Sequence, residues 1–244
     1  MAFFGHTNST TPTGNRNQFI QNTSLSAEKD VEMADPPADS ISSIEFSSEA
    51  DLLAVGSWDD SVRVYEVGAG GQSQGKAMHH HQGPVLSVCW GKDGKVFSGG
   101  ADNVARMLDI SVGQGTLVAQ HDAPVKCVKW VDTPGGGVLA TGSWDKTIKY
   151  WDLRTSNPVA TVTLPERCYS FDVQYPFMVA GTADRQILMY NLSNPQTPYK
   201  TMISPLKGQI RVLSCFTATS TTGFAIGSVE GRVAIQYIED KDSS

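Results

Sequence analysis

What this sequence lacks already narrows the class of protein. No stretch approaches the roughly 18 uncharged apolar residues that a membrane-spanning helix needs. The N-terminus has neither the basic segment nor the apolar segment of a secretory signal. We therefore expect a soluble, intracellular protein with no membrane partner.

Cysteine is also scarce, with four residues in 244: Cys89, Cys127, Cys168 and Cys215. None belongs to a CxxC pair, and their spacing is typical of neither a disulfide framework nor a zinc cluster. All four lie in or near apolar, strand-like runs. We expect buried, reduced thiols and neither a metal nor a cofactor.

Charge is modest and unevenly distributed. Charged residues make up 18% of the chain, and the formal net charge is −6. The first sixty residues contain ten acidic and two basic residues, whereas the remainder contains fifteen acidic and seventeen basic ones. The body of the protein is therefore close to neutral. This argues against a strongly basic nucleic-acid-binding surface but leaves room for a local basic patch.

What the sequence does contain is a repeat. Five tetrapeptides share a glycine, two further residues and an acid: Gly56–Asp59, Gly99–Asp102, Gly142–Asp145, Gly181–Asp184 and Gly227–Glu230. Their glycines are 43, 43, 39 and 46 residues apart, and each acid precedes an alternating segment. A period of about 40–45 residues with a Trp-Asp ending, as at Trp151 and Asp152, is typical of a WD-repeat β-propeller. The sequence thus predicts an all-β fold with about five blades.

Alternation and turn residues place four strands in each repeat. In the third repeat the predicted strands are Val125–Trp130, Val138–Ser143, Ile148–Leu153 and Val159–Leu164. The first blade is predicted to begin with Ile41–Phe46.

The chain ends suggest how the repeats are bounded. Residues 1–27, rich in Ser, Thr, Asn and Gly, are predicted to be a disordered extension. The propeller is expected over 28–238, with a strand at Lys29–Met33, and a polar tail over 239–244. Because the fifth repeat lacks an outer strand before that tail, we expect the chain to be a piece of a longer propeller.

Three residues, His121, Ser143 and Asp145, have the composition of a catalytic triad, but a structural role is the better interpretation. In a WD repeat, a turn histidine, a strand hydroxyl, the turn acid and a tryptophan form a hydrogen-bonded chain. A nucleophile would also need an oxyanion site and a cleft, and nothing else resembles an active site. We expect no enzyme and no small-molecule substrate. The predicted structural residues are His81, His121, Trp151, Asp59, Asp102, Asp145 and Asp184.

The run His79–His81 does not predict a metal site. Consecutive strand residues alternate between faces, so the three rings cannot converge on one ion. We assign His81 to the second blade's turn and expect His79 and His80 to be exposed.

Two aromatic residues, Trp58 and Trp144, stand in turns where the other repeats have alanine or valine. The fold therefore does not require an indole there. Two large aromatics at turns on one propeller face are typical of a protein-binding site, although each alone could equally pack between blades. Lys146 belongs to a small surplus of lysines in the third blade. This surplus is either a solvated face or a surface that attracts an acidic peptide or nucleic-acid phosphates.

Longer strings resemble one family. LATGSWDKTIKYWDLRTSNPV at Leu139–Val159, LPERCYSFDV at Leu164–Val173 and SPLKGQIRV at Ser204–Val212 are similar to the WD-repeat mRNA export factors of the nuclear pore, the Rae/Gle family. The resemblance runs from about Val31 to Ile238. Members of the family have seven blades, which implies that this chain holds about five of them.

The resemblance implies a non-enzymatic scaffold of the nucleus, the nuclear pore complex and the cytoplasm. Such proteins act in mRNA export by docking on a GLEBS-type motif, an acidic and hydrophobic segment of a nucleoporin. It further implies that Trp58 and Trp144 are aromatic anchors and that Arg232 pairs with a carboxylate of the motif. Contact with mRNA or ribonucleoprotein is expected to be weak and salt-dependent.

Two other functions remain open. The related spindle-checkpoint propeller shares the Gly-Ser-Trp-Asp and Glu-Gly-Arg-Val-Ala strings and binds similar motifs in checkpoint kinases. The segment Trp151–Arg154 matches the WDxR string of propellers that are substrate receptors of cullin-type ubiquitin ligases, which would connect the chain to ubiquitin. The longer N-terminal extension and the LPERCYS string favour the export family over the checkpoint protein.

Overall fold

A computed structural model describes residues 30–217 and 222–238 of the chain. The described residues from Met33 onward belong to one compact unit, and every strand named below lies in it. The predicted extension at 1–27 and the predicted tail at 239–244 fall outside the described residues.

The described residues form nineteen strands in five antiparallel sheets, and within each sheet the strands pair in chain order. The first sheet contains β1 (Ile41–Phe46), β2 (Leu52–Ser57), β3 (Ser61–Val67) and β4 (Ser73–His80), with a 3-10 helix at Ala69–Gly71. The second contains β5 (Val85–Trp90), β6 (Lys95–Gly100), β7 (Val104–Asp109) and β8 (Gln114–Gln120). The third contains β9 (Val125–Thr133), β10 (Gly136–Ser143), β11 (Thr147–Trp151) and β12 (Ala160–Thr163). The fourth contains β13 (Cys168–Gln174), β14 (Phe177–Thr182), β15 (Gln186–Asn191) and β16 (Lys200–Ile203). The fifth contains β17 (Ile210–Thr217), β18 (Thr222–Ser228) and β19 (Val233–Tyr237).

The sheets confirm the predicted all-β repeat architecture, with one blade per sheet. Strand β1 has the predicted bounds, and the third blade's strands lie within a few residues of their predicted positions. The strand predicted at Lys29–Met33 is wrong, because its described residues, 30–33, are not in a strand. Met33 instead packs beside a buried cluster of Leu53, Val55 and Tyr65. Its apolar side chain is thus covered by packing, without backbone pairing.

The repeated glycine marks the closest approach between neighbouring blades. A Cβ atom added to Gly56 would lie 2.7 Å from Val85 Cγ1, and one added to Gly142 would lie 2.7 Å from Cys168 Sγ. Both distances are far below the separation of about 3.5–4.0 Å at which carbon atoms pack. In each case the opposing residue begins the first strand of the next blade. The glycine that recurs about every 43 residues therefore lies where one blade packs on the next.

A seam hydrogen bond joins the first strand of one blade to the backbone of the next. Three buried backbone N–H groups donate to serine hydroxyl oxygens: Val88 to Ser43 and Val128 to Ser87 at 3.2 Å, and Leu213 to Ser170 at 2.9 Å. At the seam between the third and fourth blades, the N–H of Phe171 donates to the sulfur of Cys127. Because a buried N–H without a partner is costly, these side chains hold successive blades in one alignment.

A second acceptor, two residues further along the first strand, supports some of the seams. Glu45 accepts from the N–H of Trp90 at 3.3 Å, and Asp172 accepts from the N–H of Cys215 at 2.7 Å. Lys129 has the equivalent position in the third blade, and its Nζ lies 3.4 Å from Asp172 and 3.9 Å from Glu45. Burial lowers the pKa of Lys129, but the two carboxylates more than offset this and raise it overall. The three side chains therefore link the first, third and fourth blades.

In the third blade, four side chains link a turn to the strands. His121 Nδ1 lies 2.7 Å from Asp145 Oδ2, and its Nε2 lies 2.7 Å from Thr141 Oγ1. The indole N–H of Trp151 donates to the same threonine oxygen at 2.8 Å. The strand hydroxyl is thus Thr141 rather than Ser143, which bonds within the turn at the end of β10.

The second blade uses a histidine where the third uses a tryptophan. His81 Nδ1 lies 3.0 Å from Asp102 Oδ1, and its Nε2 lies 2.8 Å from Ser98 Oγ. Leu108 occupies the register position of the tryptophan and offers no N–H. His79 Nε2 lies 3.2 Å from the same serine oxygen, so it supplies the missing third partner. The prediction that His79 is exposed is wrong, since it is buried while its neighbour His80 is exposed.

The turn acids of the first and fourth blades bond to other groups. Burial raises the pKa of Asp59, but hydrogen bonds from Ser61 and from the N–H of Ala38 lower it to about 2. Asp184 accepts from Thr182 Oγ1 at 2.5 Å, and its pKa is also lowered despite burial. Each acid is therefore held as a carboxylate that fixes its own turn.

Exposed apolar side chains concentrate on the first and fifth blades. Ile44 and Phe46 point to one face of β1, and Val233, Ile235 and Tyr237 point to one face of β19; all five are exposed. Within the described residues the fifth sheet has three strands, so β19 is also an edge. Contiguous apolar surface of this kind promotes association.

We expect this chain to form oligomers that weaken when the β19 face is charged. The double variant Val233→Lys/Tyr237→Lys should shift sedimentation-velocity profiles toward the monomer, because lysines in an apolar contact must be desolvated. Val112→Lys changes an equally exposed valine in a turn of the second blade and should have no effect. A parent chain that stays monomeric at every concentration would contradict this prediction.

We also expect stability to fall between pH 6.5 and about pH 4. Burial, with its neighbour His81 and Arg106, lowers the pKa of His79 to about 4, and burial lowers those of His81 and His121. The unfolded chain takes up these protons near pH 6.5. It therefore binds more protons than the folded chain in this window, and unfolding becomes easier as the pH falls.

Melting temperatures measured across that range test the effect. His79→Gln should make the decline shallower, because a glutamine needs no proton. The exposed neighbour provides the matched control, since His80→Gln should leave the slope as in the parent. Identical slopes for the parent and His79→Gln would show that His79 does not contribute.

Candidate functional site

The two turn tryptophans differ in exposure. Trp58 follows β2 and is 54% exposed, while its backbone N–H donates to the carbonyl of Ser40 at 2.9 Å. Trp144 follows β10 in the equivalent turn and is partly buried. The expectation of two exposed indoles therefore holds for Trp58, whereas Trp144 is partly enclosed by neighbouring blades.

Trp144 lines a small cavity that spans three blades. The cavity has a volume of about 170 Å³, and its other lining residues are Lys126, Tyr169, Gln209, Ile210, Arg211 and Val229. The indole nitrogen of Trp144 is buried and has no hydrogen-bond partner among the described residues. Since a buried N–H without an acceptor is costly, this nitrogen is suited to donate to a ligand.

Three of the lining residues arise from one repeated irregularity of the first strands. In every first strand the pairing with the second strand skips one residue, which forms a β-bulge: Ser42, Leu86, Lys126, Tyr169 and Arg211. A bulge bends the strand and redirects a side chain. The bulged residues of the third, fourth and fifth blades therefore meet at the Trp144 cavity.

The bulged residues as a set carry no signal in the sequence. They lie 12 to 16 residues before the glycine of their repeat, so aligning the repeats on their glycines does not bring them into one column. A bulge also interrupts the alternating pattern and leaves no compositional signal of its own.

Positive charge dominates the rim of the cavity. Lys126 and Arg211 line it, and the guanidinium of Arg167 lies 5.9 Å from the ring centre of Tyr169. Lys146 Nζ lies 2.6 Å from Glu166, whose pKa is lowered by this contact. Lys146 is thus already paired, whereas the cations of the cavity wall favour an acidic ligand.

Arg232 does not line the cavity, but it follows a turn whose first residue does. It is exposed, and its guanidinium has no hydrogen bond or ion pair within the described part of the chain. The turn contains Gly231 at φ +73° and begins at Val229, which lines the cavity. The structure therefore associates Trp144 with the turn of Arg232, while Trp58 lies outside the cavity.

The residues of the alternative sites bond within the fold itself. Ser143 Oγ donates to the carbonyl of Ala123 at 3.0 Å, and His121 bonds to Thr141 instead, so a Ser-His-Asp relay is not formed. Arg154, at the other end of β11, pairs with Asp152 in its own turn. The described residues contain no cluster of three metal-ligating side chains. They also contain no helix that is long and apolar enough to cross a membrane.

The fold and its repeats define a WD-repeat β-propeller. The family model "WD domain, G-beta repeat" matches residues 35–66, 72–109 and 114–152. Because it is 48–54% identical over 86–100% of its length to three such proteins, the chain belongs to the Rae/Gle family of WD-repeat mRNA export factors.

Similar proteins support that assignment. The chain is 51% identical to "Poly(A)+ RNA export protein" of Schizosaccharomyces pombe over its whole length and 67% of that protein. It is 54% identical to "mRNA export factor GLE2" of Chaetomium thermophilum over 88% of the chain and 61% of that protein. It is 48% identical to "Protein Rae1" of Drosophila melanogaster over 86% of the chain and 62% of that protein. The chain thus spans about three fifths to two thirds of the length of these relatives.

Proposed function

We propose that this protein is a non-enzymatic docking module in mRNA export. It acts in the nucleus and at the nuclear pore by binding a GLEBS-type motif, an acidic and hydrophobic segment of a nucleoporin. The names of its relatives support the export role, since two of them are called RNA or mRNA export proteins. The chemistry of the Trp144 cavity supports an acidic peptide as the ligand.

The unpartnered indole N–H of Trp144 is the observation that carries this proposal. It lies in a cavity with Lys126 and Arg211, so a carboxylate of the motif would receive a hydrogen bond and two charge contacts. Arg232, exposed in the adjacent turn, would bind a second carboxylate in the planar, bidentate manner that guanidinium allows.

The exposed indole of Trp58 provides an apolar contact for the same peptide. An aromatic ring that is more than half exposed on a turn gains most when an apolar side chain covers it. Because Trp58 lies outside the cavity, the motif would run across blades, with its acidic part at Trp144 and an apolar residue on Trp58. A motif that alternates acidic and large apolar residues fits this arrangement.

Peptide binding by point variants tests the assignment. Trp144→Phe keeps an aromatic ring but removes the donor, and should weaken binding by roughly ten- to 150-fold, since a hydrogen bond to a charged group contributes about 1.5–3 kcal/mol. Trp58→Ala should cost about 2 kcal/mol or more. Arg232→Ala should weaken binding, whereas Lys146→Ala should mainly slow association.

Matched controls lie at the other end of the blades. Arg154→Ala removes an exposed arginine, and Val112→Ala trims an exposed apolar turn residue; neither should change affinity. Calorimetric titration with a synthetic GLEBS-type peptide gives the values, and circular dichroism confirms that each variant is folded. If folded Trp144→Phe and Trp58→Ala variants both bind like the parent, the docking site lies elsewhere.

Direct binding of RNA should be weak and salt-dependent. The body of the protein is close to neutral, and several of its lysines are already paired with acids, as Lys92 is with Asp132 and Lys146 with Glu166. Affinity for a labelled single strand should therefore fall steeply as salt rises toward physiological concentration. Tight binding that is insensitive to salt would contradict this and would indicate base stacking on exposed aromatic rings.

A further inference from the structure

The seam between the third and fourth blades differs chemically from the other seams. Elsewhere the seam acceptor is a serine, and the residue that begins the next first strand is aliphatic: Ser43 with Val85, Ser87 with Val125, and Ser170 with Ile210. Here the two positions are held by Cys127 and Cys168. Both departures from the repeat occur at one seam, and both introduce a thiol.

The two thiols lie against each other. Cys127 packs against the buried cluster that contains Cys168, each thiol is the side-chain partner of the other, and Cys168 is fully buried. Its Sγ packs over Gly142, the residue that pairs with Cys127 between β9 and β10. Cys127 also lies 3.6 Å from the carbonyl of Tyr169. Each sulfur is therefore held at the seam by the backbone of both blades.

Their environments give the two sulfurs different reactivity. The hydrogen bond from Cys168, together with the charge of Lys126, lowers the pKa of Cys127 despite burial. The same contact and burial raise the pKa of Cys168. Burial also raises the pKa of Cys89 above its usual range and that of Cys215 to about 12. Because the thiolate is the nucleophile, Cys127 is the thiol best suited to react first.

Cys127 is the less buried of the two cysteines. This residue is half buried, whereas Cys168 is fully buried. Lys126 and Tyr169, the chain neighbours of the two cysteines, both line the Trp144 cavity. The seam therefore lies beside that cavity.

We propose that Cys127 and Cys168 form a redox-active dithiol that hydrogen peroxide converts into a disulfide between the third and fourth blades. The Cys127 thiolate attacks one peroxide oxygen, the O–O bond breaks, and hydroxide leaves and takes up the proton that Cys127 had released. The sulfur of Cys168 then attacks the resulting sulfenic acid; the S–S bond forms, the S–O bond breaks, and water leaves with the Cys168 proton. Two thiols lose two electrons in total, and one peroxide becomes two waters. A thiol reductant reverses the link by exchange.

Mass spectrometry of the folded full chain tests this assignment. The protein is treated with a small excess of hydrogen peroxide, alkylated and digested without reduction. The expected product is a peptide pair that joins Cys127 to Cys168, lighter by two hydrogens than the separate peptides and separated by dithiothreitol. Cys89 and Cys215 should be recovered as alkylated thiols.

Two variants identify the role of each sulfur. Cys168→Val restores the aliphatic residue of the other seams, so Cys127 should accumulate as a sulfenic acid that a dimedone probe labels. Cys127→Ser restores the hydroxyl of the other seams, so it should fold, lose the cross-link and show no dimedone label at Cys168. Each substitution restores the residue type that its own position has at the other seams.

Three results would overturn the proposal. The first is recovery of both thiols in reduced form under conditions that oxidise Cys89 or Cys215. The second is a cross-link between chains in place of the cross-link within one chain. The third is equal dimedone labelling at Cys127 and at a cysteine outside the seam.

Discussion

The structure depends on one interaction, the hydrogen bond that a backbone N–H of each blade donates to a side chain on the first strand of the preceding blade. A four-stranded sheet has two faces, and neither is stable unless a neighbour covers it. Serine oxygens and one cysteine sulfur satisfy N–H groups that the stacking of blades would otherwise leave buried and unpaired. The repeated glycine has the complementary role, because it lets the next strand approach closely enough for the bond to form.

The same region of each first strand also contains a residue, the bulged one, whose identity differs from blade to blade. The bulge next to the seam acceptor turns one side chain out of the sheet, and the scaffold places little constraint on its identity. In the first blade this residue is Ser42, which bonds within the fold. In later blades it is Lys126, Tyr169 or Arg211, which line the Trp144 cavity. A repeated structural device thus forms the wall of a cavity where polar and charged residues occupy it.

Much of the fold was predictable because its signals are local or periodic. Alternation located Ile41–Phe46, and the glycine period located the blades. The predictions that were wrong concern side chains whose burial or hydrogen bonding depends on packing between elements. The hydroxyl that bonds to His121 belongs to Thr141 rather than Ser143. Thr141 lies within β10, whereas Ser143 is its last residue and bonds to the turn that follows. His79 is buried because it bonds to Ser98 in the place that a tryptophan has in the third blade and that Leu108 cannot fill. Leu108 lies on a strand of the next blade, so the sequence neighbours of His79 do not reveal it.

The sequence by itself determined the repeat, the all-β class, the turn residues and the family, because each is written in spacing and residue type along the chain. Only the tertiary structure decided which side chains from different blades meet. Trp144 shares a cavity with Lys126 and Arg211, and Cys127 meets Cys168, through stacking of sheets that are distant in sequence. Those contacts depend on bulges and on the alignment of neighbouring blades. Both are set by burial and by the need to satisfy backbone N–H groups, which no single repeat can specify alone.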